Sequence, residues 1–444
     1  MNKFLLAGAA SVAFSLNYSF AQESAGVGSP QETSASWWTG SYALGNLGGL
    51  RSRLAADGYT FESYYVSDIA GNPSGGRKQG FTYTDNIYFG VTFGLDKIFG
   101  WPGGHFLVSF VERDGPSLTN KYVGSIYNSQ QVYGGQSFFV YQFLLDQHFL
   151  NDKISLKLGR YGASDDFNSS PLYGLYMNNG INGDIRNVLF DTQFSAYPFA
   201  TWAARLRIDP VPEFNAQVGV FQTWRHIFDS SHHGLDWGIH RDDGVFLIAQ
   251  FAWTPEFFKK PVPDESACDG KTVAPVKMKG LPGHYWIGGS YSPWAYPQFG
   301  RLERSENSYG GYVHADQMVF QEKPGSDQGL ILWAASGLYP QEKVSIIPFQ
   351  VNAGVVYTGL FPTRDEDKTI LGLIYGRFSR AYAGTQIFLG NGDPRYELVV
   401  EAGYRIQFTK FASIQPDVQY IVNPGGTGRI PDAWVLGAQI GITF

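Results

Sequence analysis

The sequence predicts an all-β protein: a transmembrane antiparallel β-barrel of about 16 strands, with long extracellular loops and one loop that folds inward. Three observations predict it. Apolar and polar residues alternate with a period of two over segments of about ten residues, as in strands with one face in an apolar phase and the other in water. Outside the N-terminus, no continuous apolar run approaches the roughly 20 residues of a membrane-crossing helix. The connections between alternating segments are by turns short and long, as in barrels with short periplasmic turns and longer extracellular loops.

Composition fits this reading. Of the 444 residues, 43% are hydrophobic and 16% aromatic, yet the mean hydropathy is −0.18, so the apolar content is interleaved with polar residues. Richness in aromatic and β-branched residues excludes a disordered chain. A formal net charge of −6 gives no argument for a nucleic-acid partner. The lone Cys268 cannot close an internal disulfide, so the fold is expected to be held by size and topology.

Taken in order, residues 4–16 form the one continuous apolar segment. It follows Lys3 and precedes Ser19-Phe20-Ala21, with small residues in the spacing that precedes cleavage, so residues 1–21 read as a secretory signal peptide. About 13 apolar residues are too few to span a bilayer. Residues 22–58 read as a periplasmic leader: a polar stretch, then a short helix over 48–58 with Gly58 as its C-cap. Residues 59–444 read as the barrel. Strands are expected to start near Thr60, Thr84, His105, Ser137, Lys153, Thr201, Phe214, Gly244, His284, Tyr309, Gln328, Pro348, Thr369, Arg395, Ala412 and Trp434.

The last three segments alternate most strictly. Trp434, Leu436, Ala438, Ile440, Ile442 and Phe444 share one face, against Val435, Gly437, Gln439, Gly441 and Thr443. Leu398, Val400, Ala402, Tyr404, Ile406 and Phe408 oppose Glu397, Glu401, Gly403, Arg405 and Gln407. Short links near 148–152, 209–213 and 409–411 fall on one side. Long ones near 114–136, 161–200, 224–243, 380–394 and 422–433 fall on the other. The 254–283 connection, with Lys259, Lys260, Lys271, Lys277 and Lys279, is long on the short-turn side and reads as a periplasmic excursion.

A wall of 16 strands encloses water unless something folds into it. The longest loop, 161–200, is the candidate. It holds Asp165-Asp166-Phe167-Asn168 and the run from Asn178 through Asp184 to Arg186, with Tyr173, Tyr176 and Phe190. Mixed charges and amides beside aromatic faces suit a hydroxylated solute better than an ion; an ordinary surface loop is the alternative. Strand parity adds Arg113, Arg205, Arg207, Glu397, Glu401 and Arg405 as lumen residues, with solvation of the wall as the plain alternative role. An enzyme finds little support. Asp165-Asp166 and His232-His233 are adjacent pairs, and no nucleophile-elbow or zinc-helix motif occurs. Neither cofactor nor metal is expected.

Gln415-Pro416-Asp417-Val418-Gln419-Tyr420-Ile421-Val422-Asn423-Pro424-Gly425-Gly426, ahead of a final strand ending in Phe444, resembles the carbohydrate-selective outer-membrane porins of the OprB type. Residues 397–404, Gly359-Leu360-Phe361-Pro362-Thr363-Arg364-Asp365, Glu112-Arg113-Asp114-Gly115, Val132-Tyr133-Gly134 and Lys157-Leu158-Gly159-Arg160 also look like family segments. Leu44-Gly45-Asn46-Leu47-Gly48-Gly49-Leu50-Arg51 departs from the family pattern by lacking its Asp and Trp. Gln131 stands where an acidic residue is expected opposite Arg113.

The resemblance implies a 16-stranded channel in the bacterial outer membrane for passive uptake of mono- and oligosaccharides. Its eyelet would draw on Arg113, Gln131, Arg160, Asp165, Asp166, Asp184, Arg186, Arg205, Arg207, Glu397, Glu401 and Arg405. Phe444 would be the insertion signal read by the barrel-assembly machinery, with outer-membrane lipid around the wall; homo-oligomerisation is left open. A general or anion-preferring porin using Arg113, Arg160, Arg205, Arg207 and Arg405 is the alternative.

Overall fold

A strand buried in lipid must find every backbone hydrogen bond on its neighbours, so a sheet in a membrane closes on itself. A computed structural model of the chain describes residues 37–263 and 276–444, and it shows that closure. The expected signal peptide (1–21), Cys268 and Lys271 lie outside the described residues. The strands are β1 (Tyr59–Ser74), β2 (Gly80–Gly94), β3 (Gly104–Asp114), β4 (Phe138–Phe149), β5 (Ile154–Tyr161), β6 (Thr201–Val211), β7 (Phe214–Thr223) and β8 (Gly244–Trp253). They continue with β9 (Glu256–Pro263), β10 (Val276–Gln298), β11 (Arg301–Gln321), β12 (Gly329–Leu338), β13 (Phe349–Thr358), β14 (Lys368–Arg377), β15 (Tyr396–Thr409), β16 (Ala412–Val422) and β17 (Ala433–Thr443).

Sixteen of these form the antiparallel wall. The exception is β9, which among the described residues pairs with the start of β10, Val276 opposite Pro263, while β10 further on pairs with β8, Tyr285 opposite Trp253. Glu256–Pro263 and residues 276–282 thus pair as two strands below the short-turn rim, and β10 runs from there into the wall. On the other rim, β11 starts at Arg301 rather than near Tyr309. Its first residues, such as Arg304, Ser305, Glu306 and Ser308, do not alternate because that hairpin stands above the membrane, where neither face meets lipid.

The seam joins β1 to β17, with Tyr64 opposite Thr443 and Gly71 opposite Leu436. A short helix, α1 (Leu50–Ala56), packs beneath it. From α1, Arg51 donates Nη1 to the Phe61 carbonyl and Nη2 to the Phe444 carbonyl, each at 2.9 Å, so one guanidinium bridges both sides of the seam. Phe444 N–H donates to the Ser63 carbonyl at 2.9 Å.

Outward positions are apolar and bare: Phe81, Val218, Phe251, Phe408 and Leu436 are all more than half exposed, as a lipid-facing band requires. Aromatic pairs mark both rims. Phe214–Trp253 (6.0 Å between centroids) and Tyr59–Phe93 (5.7 Å) lie at the short-turn end; Tyr420–Trp434 (4.6 Å) and Phe110–Phe138 (5.9 Å) lie at the other.

One stretch of wall is incomplete. Pairing of β4 with β5 ends at Phe143 opposite Arg160, because the chain leaves the sheet after Tyr161. The top of β4 is covered instead by the 224–243 loop, whose His233 carbonyl accepts from Val140 N–H at 3.0 Å. A Cβ on the next residue, Gly234 (φ +68°), would fall 2.2 Å from the Val140 carbonyl oxygen, so the latch closes this tightly only around glycine. Trp237 of this loop lies against Phe143 (5.0 Å) and Trp202 (6.0 Å) on the outer face.

Candidate functional site

The 161–200 loop enters the lumen and crosses it. From Tyr161 to Ala200 nearly every residue is buried, although the stretch includes five Asp or Arg residues. Burying that much polar chain is costly unless each group finds a partner. The inward faces of the far strands supply them. The Glu401 carboxylate accepts from Met177 N–H and, at 3.1 Å, from Asn178 N–H; Asn178 Nδ2 donates to Gln419 at 2.9 Å. Gln350 and Asn352 donate to the Gly180 carbonyl at 3.0 and 2.8 Å. Arg405 Nη2 donates to the Gly174 carbonyl at 3.0 Å, and Gln415 Nε2 to that of Leu175 at 2.8 Å. Locally, Ser170 caps the turn Pro171–Leu175 and Asn178 Oδ1 accepts from Gly180 N–H at 2.9 Å, side-chain turns that let the backbone reverse without a ladder.

A second loop, 115–137, also turns inward. Its Ile126 and Tyr127 N–H groups donate to the Glu397 carboxylate (2.8 and 3.2 Å), Gln130 Nε2 to the Asp68 carbonyl (2.7 Å) and Val132 N–H to the Asp68 carboxylate (3.2 Å). The two loops interlock: Gln131 N–H donates to the Met177 carbonyl and Asn179 N–H to the Asn128 carbonyl, both at 2.9 Å. Inward glycines of the wall receive their side chains. A Cβ on Gly376 would lie 2.1 Å from the Tyr127 hydroxyl, and one on Gly337 2.0 Å from Asn187 Oδ1.

Arg113 faces inward from β3. Its Nε donates to Asn86 (2.9 Å), its Nη1 to the Gly134 carbonyl (3.2 Å), and its guanidinium sits 4.9 Å from the Tyr197 ring centre. Tyr197 lies edge-on to Tyr141 at 4.8 Å, and Tyr64 stacks on Tyr88 at 4.9 Å. Asp184 and Arg186 lie 4.0 Å apart in the long loop, with Arg186 over the Phe190 ring. Burial raises the Asp184 carboxyl to about 6, opposed by Arg186, and lowers the Arg186 guanidinium to about 10. Among the described residues, Arg113 Nη2, both amide atoms of Gln131, Asn182 Oδ1, both Asp184 oxygens, and Arg186 Nε and Nη1 have no hydrogen-bond partner. Such groups are rare in folded proteins, where buried polar atoms are nearly always paired.

The remaining candidates divide. Asp166 pairs with Lys157 (2.7 Å) and with Arg205 (3.4 Å), which also reaches Asp146 (3.4 Å). Asp165 accepts from Tyr141 and, at 2.9 Å, from Gln142 Nε2, and burial raises it to about 6. Arg207 pairs with Asp209 at 2.7 Å near the short-turn rim, away from the loops. Glu397, Glu401 and Arg405 are in the lumen, engaged in holding the loops.

Arg160 is elsewhere. It alternates with Leu156 and Leu158 on the outward face, donates to the Ala200 carbonyl at 3.0 Å, and lies 5.6 and 5.9 Å from the Trp237 and Trp202 ring centres. The latch loop covers it there, so its place differs from the lumen position expected. Within 115–137, sequence reasoning placed only Gln131 at the eyelet, through the family resemblance; it missed Tyr127 and Gln130, as well as the buried cation Lys157.

Comparison with known proteins agrees with this architecture. Residues 78–444 match the family model described as carbohydrate-selective porin, OprB family. Porin B of Pseudomonas aeruginosa is 27% identical over 460 residues, covering 96% of each chain; the putative porin QuiX of Acinetobacter baylyi is 25% identical, covering 91% of this chain and 93% of its own. The high-pH structure of Pseudomonas putida OprB superposes with a TM-score of 0.82 at 24% identity, over 92% of this chain and 100% of that one. A family match across most of the barrel, on a closed 16-stranded wall, makes this chain a member of the OprB family of carbohydrate-selective porins, at home in the bacterial outer membrane.

Proposed function

We propose that the protein mediates passive, selective diffusion of mono- and oligosaccharides into the periplasm through an eyelet formed by its two inward loops. One observation carries this reading: where the two loops meet the wall, Arg113, Gln131, Asn182, Asp184 and Arg186 hold buried polar atoms with no hydrogen-bond partner among the described residues, of mixed charge, with aromatic rings against Arg113 and Arg186. A sugar offers many hydroxyls that both donate and accept, and apolar ring faces between them, so it matches mixed donors, acceptors and aromatic surfaces. An anion would match cations alone. Of the five arginines an anion filter would use, Arg160 lies on the outer face, Arg205 and Arg207 pair with carboxylates, and Arg405 is spent on Gly174, Gln415 and Gln439. No covalent step enters this reading; pore geometry and lining groups set selectivity. Phe444, at the end of the closing strand, is proposed as the feature the barrel-assembly machinery reads.

Liposome swelling tests it. Glucose and short oligosaccharides should permeate faster than amino acids of similar size, and Arg113→Ala with Asp184→Asn should erase the difference. Equal permeation of sugars, amino acids and inorganic anions by the native channel would overturn the proposal.

A further inference from the structure

Four of the eight histidines fall within residues 226–240, in the latch loop on the outer side of the wall. As a dipeptide, His232-His233 is uninformative, and the fold splits it. His233 turns to β4, its Nδ1 2.7 Å from Ser137 Oγ, while His232 turns to His226 and Asp229. One nitrogen of His226, one oxygen of Asp229 and one nitrogen of His232 lie within 4.8 Å of one another.

Two features give this cluster the form of a metal site rather than a chance gathering. Asp229 caps the turn Ser230–His232, its Oδ1 accepting from Ser231 N–H (2.9 Å) and Ser231 Oγ (2.7 Å). That bond orients the carboxylate and leaves Oδ2 directed at His232 Nε2, 3.8 Å away. His232 Nδ1 in turn faces Asp236 Oδ2 at 3.8 Å. A carboxylate behind the imidazole and an inner carboxylate in front of it, each 3.8 Å from a ring nitrogen, stand a small side-chain movement from the arrangement that fixes the tautomer of histidine ligands. Trp224 walls the cluster on one side, 5.3 and 6.0 Å from the His232 and His226 rings.

We propose that His226, Asp229 and His232 bind one divalent transition-metal ion of the Zn²⁺ class, with water completing the coordination. Two imidazoles and one carboxylate favour such ions over Mg²⁺ or Ca²⁺, which prefer all-oxygen sites. Ligand atoms around tetrahedral zinc stand about 3.4 Å apart, so binding draws the three inward by roughly 1 Å, within the reach of side chains at the surface. The site immediately precedes His233 and Gly234, the residues that close the gap above Arg160. A bound ion therefore ties down the base of the latch.

The test uses the full chain, detergent-solubilised and stripped with chelator. Calorimetric titration with ZnCl₂ should show one saturable site per chain, with MgCl₂ silent, and Co²⁺ should give visible absorption bands of a nitrogen–oxygen site. His226→Ala and His232→Ala should each weaken Zn²⁺ binding at least tenfold. His148→Ala, in the other histidine pair (5.6 Å from His105), should leave it unchanged. Unaltered heat-shifted gel migration confirms that each variant is folded. Absence of saturable binding, equal binding in the His226→Ala/His232→Ala double variant, or loss in His148→Ala would each overturn the assignment.

Discussion

Two long loops leave the same rim and part ways. Residues 161–200 dive into the barrel and are almost entirely buried; residues 224–243 fold over the outside and stay largely exposed, with Leu235 and Ile239 bare. Both carry aromatics and both signs of charge, so composition does not separate them. What separates them is the surface each can meet. The inward loop faces Glu401, Gln350, Asn352 and Gln415, amide and carboxylate groups aimed at its backbone, and Gln419, which accepts from the Asn178 side chain. The outward loop has one free strand edge and two aromatic rings. Loop placement in a barrel is thus decided by donors and acceptors on distant strands as much as by the loop itself.

The sharpest way to break that contrast is to remove the inward loop. Replacing residues 171–187 with a short Gly-Ser bridge should raise single-channel conductance about threefold or more and abolish sugar preference, since a 16-stranded barrel otherwise leaves an aqueous channel. Unchanged conductance in planar bilayers would mean the loop does not set the pore.

Next in size is Glu401→Ala. It strands the buried Met177 and Asn178 N–H groups, at a cost of about 2–4 kcal/mol for two donors left without an acceptor. We expect noisier open-channel current and earlier heat unfolding on gels, with Glu401→Gln milder because it keeps an acceptor. Gly376→Leu should act similarly from the wall side, forcing Tyr127 out at about 1–3 kcal/mol.

A smaller effect follows from pH. Asp184 and Asp165, raised to about 6 in the folded loop, take up protons as pH falls from 7.5 to 5, so the lumen loses negative charge. Reversal potentials should move toward anions over that range, and Asp184→Asn should remove its share of the shift. The sign for stability is also set: because the folded state holds these protons more tightly than the unfolded chain, their contribution is greatest below about pH 4 and fades as pH rises through about 6.

The least effect is expected outside. Trp237→Ala should lower thermal stability by about 1–2 kcal/mol through lost contacts with Phe143 and Trp202, leaving conductance unaltered. A change in conductance would show that the latch reaches the pore.

Much of this was legible in the residues. Strict alternation in the last three strands placed Glu397, Glu401, Arg405 and Gln439 inward, because lipid on one side and water on the other impose a period of two. The inward course of 161–200 was legible from its density of amides and fixed charges. Arg160 was misplaced although the rule that places it was at hand: it shares parity with Leu156 and Leu158. A cation on the lipid-side parity is tolerable only because Trp202 and Trp237 cover it, and Trp237 comes from 77 positions further along the chain. The turn of 115–137 into the lumen was legible only at Gln131, through the family resemblance, and not from the residues themselves, since its decisive partner, Glu397, is 271 positions from Ile126.

The Arg51 bridge across the seam has a kinetic consequence. Strands β1 and β17 come from opposite ends of the barrel, so their pairing closes the largest loop in the chain and is the slowest contact to find. Until it forms, two unpaired edges stay open to other chains. A guanidinium that holds the Phe61 and Phe444 carbonyls together lowers the chance that a newly met pair separates before the ladder zips. Arg51 is accordingly expected to act on how often barrels complete rather than on what passes through them.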